Sequence, residues 1–285
     1  MTSHAVVPTL SVVIVNYNTH DYLQACLESL QNTTDVDIEI IVVDNASSDG
    51  SVDMVRSQFP DVNLIANAKN QWFCGGNNTG IEASHGQYVL LLNPDTVVEP
   101  DALSKMVNFL DSSPDYVGVT AQLIFPDGTT QPTCSRVPTF SYLLVSHSPL
   151  KWIFPRWYQR LQAHHWYDGW NRDCDYDVEA IVGACTLMRR EDILLDDDLL
   201  LYFPEDDLAK RHGGKCRFIA DAHIQHHEKS ATRTWLATDI FFRDMMVYTR
   251  KHHGFMAMIL MKTMTFPLHF AMWLRHQVRQ LQTSQ

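Results

Sequence analysis

Two apolar runs in this chain end in the same way, each with an aspartate thrust into a polar turn. Val89-Leu90-Leu91-Leu92 runs into Asn93-Pro94-Asp95-Thr96, and Ile38 to Val43 runs into Asp44-Asn45-Ala46-Ser47-Ser48-Asp49-Gly50. Apolar runs of this length read as strands buried on both faces, and ligands of open α/β sheets bind at the C-terminal edge of such strands. A lone carboxylate there, beside a proline-stiffened turn, suits one ligand of a hard divalent cation that clamps a diphosphate. The other carboxylate can accept the imide N–H of uracil or thymine. Taken alone, the Asp95 segment reads better as a strand followed by an N-cap aspartate; the recurrence at a second strand end shifts the balance to a site.

Two further segments belong to the same edge. Val15-Asn16-Tyr17-Asn18 closes a first strand, Leu10 to Val15, with a polar turn able to carry a nucleotide. Asn70-Gln71-Trp72-Phe73-Cys74-Gly75-Gly76-Asn77-Asn78-Thr79-Gly80 opens a helix; its glycines allow close backbone approach, and its amides can donate to phosphate or sugar oxygens. It has neither G-x-G-x-x-G nor G-x-x-x-x-G-K-[ST] spacing, which argues against a dinucleotide fingerprint and a P-loop.

The elements that must hold these residues alternate strand and helix over the first 130 positions, the pattern of a parallel sheet. Thr19 is placed to cap a helix whose Tyr22, Leu23, Cys26, Leu27 and Leu30 share one face. Helices are expected near Val52–Phe59 and from Pro100, with Leu103, Met106, Val107 and Leu110 as the apolar stripe. A short strand is expected around Leu64 and a longer one from Val117 to Phe125, closed by Pro126-Asp127-Gly128. From Thr133 to Val178 the alternation fades and aromatics crowd in, Trp166 and Trp170 among them. That stretch reads either as an acceptor pocket or as a satellite hydrophobic cluster. A strand resumes over Ala180–Met188. Residues 254–274 are strongly apolar but interrupted by Lys262, Pro267 and His269, and flanked by Arg250, Lys251, Arg275 and Arg279. They read as a helix lying in a membrane interface rather than crossing it, with packing on the domain or in a dimer as the alternative.

A formal charge of −11 over 285 residues argues against a nucleic-acid partner, which would need clustered Lys and Arg. The six cysteines are dispersed without zinc-ligand spacing, as expected of thiols in a reducing compartment. No basic-then-apolar leader precedes the first strand, so a cytoplasmic protein, peripheral on the membrane's inner face, is expected.

In order, the four segments resemble the inverting family 2 glycosyltransferases of GT-A fold, most nearly a rhamnosyltransferase-like branch that builds bacterial surface polysaccharides. The pattern V-x-Y-N, V-D-N-x-S-x-D-G-S, N-x-G-F-x-x-G-x-N-x-G and L-N-P-D is met by Val15–Asn18, Val43–Ser51, Asn70 with Phe73, Gly76, Asn78 and Gly80, and Leu92–Asp95. Trp72 stands where the pattern has glycine and narrows the approach to the donor. Gly183-Ala184 with Arg189-Arg190, Asp207-Leu208 with Arg211, and His226 with Ser230 extend the likeness across residues 10 to 255.

The resemblance implies an α/β, GT-A-type open and mostly parallel sheet. It would comprise a nucleotide-sugar half (1–130), an acceptor half (131–235) and a C-terminal helical extension (236–285). Asn16, Asn18, Asp44, Asn45, Ser47, Asn70, Gly76, Asn78, Asn93 and Asp95 would hold the nucleotide sugar. Asp95 would bind Mg²⁺ or Mn²⁺ with His226 as second ligand. The catalytic base departs from the family's E-D-x-D-L. Alignment on Asp207 without a gap gives Glu205 that role, whereas a one-residue deletion gives Asp206. Asp207, Trp166 and Trp170 fall on the acceptor side, and Asp196-Asp197-Asp198 reads as acceptor-side or structural. The histidine pairs His164-His165 and His252-His253 read as surface or interfacial. The implied reaction is single-displacement transfer from a dTDP- or UDP-sugar, L-rhamnose first, to a glycan or polyprenyl-diphosphate-linked acceptor. The alternatives are transfer of GlcNAc or galactose from UDP, and a degenerate module that binds a nucleotide sugar without turnover.

Overall fold

The computed structural model describes residues 8–283 apart from 182, 214 and 229–233. Val182, within the strand expected over Ala180–Met188, and Ser230, paired above with His226, lie outside the described residues. The described strands are β1 (Leu10–Asn16), β2 (Ile38–Asp44), β3 (Asn63–Ala66), β4 (Tyr88–Leu92) and β5 (Thr96–Val98), then β6 (Tyr116–Ile124), β7 (Tyr176–Val178), β8 (Cys185–Arg189) and β9 (Lys215–His226). The helices are α1 (His20–Leu30), α2 (Ser51–Gln58), α3 (Trp72–Glu82), α4 (Ala102–Ser112) and α5 (Phe140–Ser146). They continue with α6 (Leu150–Ile153), α7 (Pro155–His165), α8 (Pro204–His212), α9 (Trp235–His253) and α10 (Phe255–Thr283).

All nine strands form one sheet in the order β3-β2-β1-β4-β8-β6-β9-β5, with β7 added beside β9. β3, β2, β1 and β4 are mutually parallel, while β8 runs antiparallel between β4 and β6. Successive strand residues face opposite sides, and the core divides accordingly. Val12, Ile14, Leu90 and Leu92 pack under α1, α2 and α4, whereas Val13, Ile41, Val43, Val89 and Leu91 pack under α3, α5, α8 and α9. Both faces of the central strands are therefore dry, which is why they read as continuous apolar runs rather than as alternation.

Local chemistry differs from expectation in three places. The Thr19 side chain makes no cap contact; its hydroxyl donates to Asn16 Oδ1, and its carbonyl accepts the Leu23 N–H. The glycines of the third motif lie within α3, the helix that this segment is expected to open. A Cβ at Gly76 would come 2.8 Å from Val15 Cγ1, and one at Gly80 would run into Val13. Those glycines bring a helix close to β1 rather than a backbone close to a ligand. The strand expected over Ala180–Met188 is confined to Cys185–Arg189, because Ala180 is tied across to Ser135 instead.

Candidate active site

The register fixes which aspartates can meet. Asn16 of β1 pairs with Asp44 of β2, and Ile14 with Leu92 of β4, so Asp44 and the Asn93–Asp95 turn leave one edge on either side of β1. Two strand spacings separate them, roughly 10 Å at the backbone. Asp44 is only 1% exposed. Its Oδ2 accepts the Asn16 amide at 2.7 Å and its Oδ1 the Ser47 N–H at 2.8 Å. Ser47 Oγ accepts in turn from Asn16 and from the Asn18 N–H, and Asn18 Oδ1 accepts the Ser48 N–H. Asn18 and Ala46 hold left-handed backbone, costing about 1 kcal/mol or more each. The turn is thus built to aim one carboxylate, and each of its oxygens keeps a lone pair beyond the bond it already accepts.

Other expected donor contacts are spent within the protein. Asn45 donates to the Trp72 carbonyl and accepts from Asn67 Nδ2 and the Gln71 N–H. Asn70 Oδ1 accepts the Trp72 N–H at 2.7 Å. The α3 amides of Phe73 and Cys74, expected to face phosphate, both donate to the Leu200 carbonyl. Asn78 donates to the Leu195 carbonyl and Asp197 Oδ1 and accepts the Leu195 N–H, so it clamps the loop at Leu195. Trp72 has φ +61°, so it keeps the left-handed backbone that the glycine of the pattern supplies freely.

At the other aspartate, Asp95 Oδ1 lies 3.4 Å from His226 Nε2, both side chains about one-tenth exposed. β5 pairs with the end of β9, Thr96 opposite His226, and this places the ring. Gln131 fixes its tautomer. The Gln131 NH₂ donates to the His226 carbonyl at 2.7 Å, and a carbonyl can only accept, so Gln131 Oε1 must be the atom 2.9 Å from His226 Nδ1. Nδ1 therefore carries a proton, and in the neutral ring the Nε2 lone pair faces a carboxylate oxygen. Two acceptors facing each other, with one ring held from behind, is the donor set a divalent cation bridges. Among the described residues no group of three or more His, Cys, Asp or Glu side chains is arranged around one point, so remaining ligands would come from the diphosphate and water.

The three acids at the start of α8 have separate fates. Pro204 at the first helical position and three acids followed by Lys210, Arg211 and His212 match the helix dipole end to end. Glu205 packs its carboxyl against Gly183 and beside Val117, Ile181, Met188 and Cys216. Burial there pushes it up from 4.5 to about 7. Gly183 adjoins Ala184, whose carbonyl accepts the Asn93 N–H at 3.0 Å, which links this acid to the Asn93–Asp95 turn. Asp206 is raised well above the ordinary range by burial, then by the charges of Glu205 and Asp207. Its field also helps to raise Tyr142 and Tyr248, chiefly burial-driven shifts, so those rings are its neighbours. Asp207, expected on the acceptor side, is instead fully buried, accepting from Arg211 at 2.8 Å and from Lys251 and His252 at 2.7 Å each. It ties α8 to α9.

Asp244 on α9 was not singled out by the motifs, although an acid inside Phe241-Phe242-Arg243-Asp244-Met245-Met246 is itself a signal. Its buried Oδ2 accepts three successive N–H groups, Leu200, Leu201 and Tyr202, at 2.9–3.1 Å. Together with Asn78 and the α3 amides it holds the loop that delivers α8. Gln131 carries no comparable signal.

On the acceptor side, Trp166 is 42% exposed, while Trp170 is 8% exposed, in a satellite cluster with Cys134, Val178, Cys216 and Phe218. His165, read as a surface residue, is buried and stacked on Tyr142, and burial lowers it to about 4. His252 is half-buried and pairs with Asp207. Asp196 pairs with Lys251 and Asp197 with Asn78, so that acidic run is structural.

Comparison with known proteins places this geometry. The mannosyltransferase PcManGT of Pyrobaculum calidifontis, in complex with GDP-Man and Mn²⁺, superposes with a TM-score of 0.56 at 15% identity, over 87% of this chain and 65% of that one. The fold is thus that of the GT-A glycosyltransferases. An uncharacterized glycosyltransferase, alr2836, of Nostoc sp. is 34% identical over 155 residues, 51% of this chain and 48% of its own. The succinoglycan biosynthesis protein ExoO of Rhizobium meliloti is 32% identical over 114 residues, 40% of this chain and 33% of its own. The chain thus spans a third to a half of the length of these relatives. A family model described as glycosyl transferase family 2 matches residues 11–194, and the chain belongs to that family.

Proposed function

We propose that this protein is an inverting glycosyltransferase that moves a sugar from a pyrimidine nucleoside diphosphate to a glycan or polyprenyl-diphosphate-linked acceptor in surface polysaccharide synthesis. The observation that carries the reading is the sheet register that sends Asp44 and Asp95 out of one edge, with His226 Nε2 turned to Asp95. Asp44 accepts the imide N–H of the base, held in place by Asn16 and Ser47. Asp95 and His226 hold Mg²⁺ or Mn²⁺, which supplies Lewis-acid stabilisation of the departing diphosphate. A carboxylate of α8, Glu205 or Asp206, takes the proton of the acceptor hydroxyl as it attacks the anomeric carbon. A proton affinity near neutrality, as at Glu205, is the useful range for that task. The donor is dTDP-L-rhamnose in the first instance, with UDP-GlcNAc or UDP-galactose next.

The test is a screen of dTDP-rhamnose, UDP-GlcNAc, UDP-galactose and GDP-mannose for nucleoside diphosphate release, with and without chelator. Release from a dTDP- or UDP-sugar that stops with chelator supports the reading; equal use of GDP-mannose would defeat the role of Asp44. The burial that raises both Glu205 and Asp206 favours one second reading, a module that binds nucleotide sugar without turnover. Transfer that rises with pH through about 7 and is lost in both Glu205→Gln and Asp206→Asn would exclude it.

A further inference from the structure

Helix α10 runs unbroken from Phe255 to Thr283 in spite of Pro267, and along it two stripes are apolar rather than one. The first docks on the domain. Met261 and Thr265 are buried, His269 stacks on Phe242 at 4.3 Å and on Trp235 at 5.4 Å, and His276 stacks on Trp235 at 5.6 Å. His269 Nε2 also pairs with Asp239 at 3.2 Å. The second stripe is exposed. Phe255, Ile259, Phe266, Phe270, Trp273 and Leu274 are 40–60% accessible. At about 100° per residue they share an arc of roughly 100° on the side away from α9. Phe266, Phe270 and Trp273 stack in sequence, with centroids 5.8 and 5.6 Å apart, into a continuous aromatic ridge.

The charge on this part of the chain is opposite to the rest. Residues 245–285 hold Arg250, Lys251, Lys262, Arg275 and Arg279 and no Asp or Glu, a formal +5, which leaves −16 on the first 244. At the same 100° per residue, Lys262 lies about 20° outside the apolar arc on one side and Arg275 about 100° outside it on the other. An exposed apolar ridge with bases to either side, on a molecule otherwise strongly acidic, complements one surface: a bilayer rich in anionic headgroups. The Phe255–Gln280 stretch is long and apolar enough to span such a bilayer. Docking along the opposite stripe, through buried Met261 and Thr265 and the His269–Phe242 stack, keeps the helix against the domain and therefore in the membrane plane.

We infer that the exposed face of α10 is a docking surface for anionic membranes, with the helix half-immersed and the GT-A sheet held beside the bilayer. This goes beyond the proposed transfer reaction and stands on residues outside the site. The test uses the full chain and extruded vesicles, either pure phosphatidylcholine or phosphatidylcholine with phosphatidylglycerol at about 3:1. Co-sedimentation at low salt should be at least tenfold greater with the anionic vesicles and fall steeply as salt rises. Phe266→Glu/Phe270→Glu should lose binding while far-UV circular dichroism and donor-nucleotide affinity stay as in the wild type. A second variant, Lys262→Gln/Arg275→Gln, should lose the preference for anionic vesicles while its fold is unchanged. Equal binding to both vesicle types, or none, would overturn the inference. So would a wild-type dimer in sedimentation equilibrium that Phe266→Glu/Phe270→Glu converts to monomer without any vesicle binding, since the face would then belong to a second copy. Failure of the donor screen would leave these outcomes untouched.

Discussion

Replacing Glu205 with glutamine should make the protein more stable, and more so at high pH. The carboxyl sits against Gly183 in a cavity also lined by Val117, Ile181, Met188, Cys216 and His212. Burial raises it from 4.5 to about 7. An acid raised on folding makes the native state bind more protons than the unfolded chain between these two values, so stability falls as pH rises through that window. At about 1.4 kcal/mol per tenfold change in proton affinity, the cost grows from roughly 1.4 kcal/mol at about pH 5.5 to an upper figure of roughly 3 kcal/mol at about pH 8.5. Glutamine has nearly the same shape and no charge, and it removes that cost at every pH. Loss of the Glu205 charge also relieves Asp206, which it helps to raise, so the effects share a sign. Urea midpoints of wild type and Glu205→Gln, measured at about pH 5.5 and 8.5, should diverge in favour of the variant as pH rises. An advantage that is equal at both pH values, or a variant less stable at the higher one, would show that the carboxylate is solvated or paired, and the reasoning would fail. The same variant should transfer sugar more slowly if Glu205 is the base, so stability and turnover would move in opposite directions.

Asp95→Ala should abolish metal-dependent nucleotide binding in calorimetry, and Gln131→Met should weaken metal affinity about 10- to 100-fold by freeing the His226 tautomer. An unchanged affinity in Asp95→Ala would remove the metal role. Asp244→Ala leaves three part-buried amides without their acceptor and Arg243 without its buried partner, and should cost about 3 kcal/mol in urea unfolding; a loss below about 1 kcal/mol would mean the loop does not depend on that clamp. Gly80→Ala drives a methyl into Val13 and should cost roughly 1–3 kcal/mol by the same assay, with donor affinity unaffected if that glycine serves packing alone.

The family and the sheet were legible because the signals are local. Val89–Leu92 and Ile38–Val43 show their burial in composition alone, and the turns after them carry residue types that are costly to place elsewhere. The same locality hid what neighbours decide. Asn78 and Asp207 look like ligand contacts in a motif, yet one clamps the loop at Leu195 and the other joins α8 to α9 through Lys251 and His252. Nothing in their own surroundings in sequence reveals partners 44 to 117 positions away.

The order of residue types by itself determined the family, the strand ends that carry Asp44 and Asp95, and the amphipathic, base-flanked character of residues 254–274. Only the tertiary structure decided the environment of each carboxylate. Three consecutive acids at 205–207 share one chemistry, but one lies against a glycine, one is raised by burial and by its two acidic neighbours, and one is within reach of three basic side chains. Charge state follows from solvation and from partners brought in by distant segments, and those are properties of the packed chain.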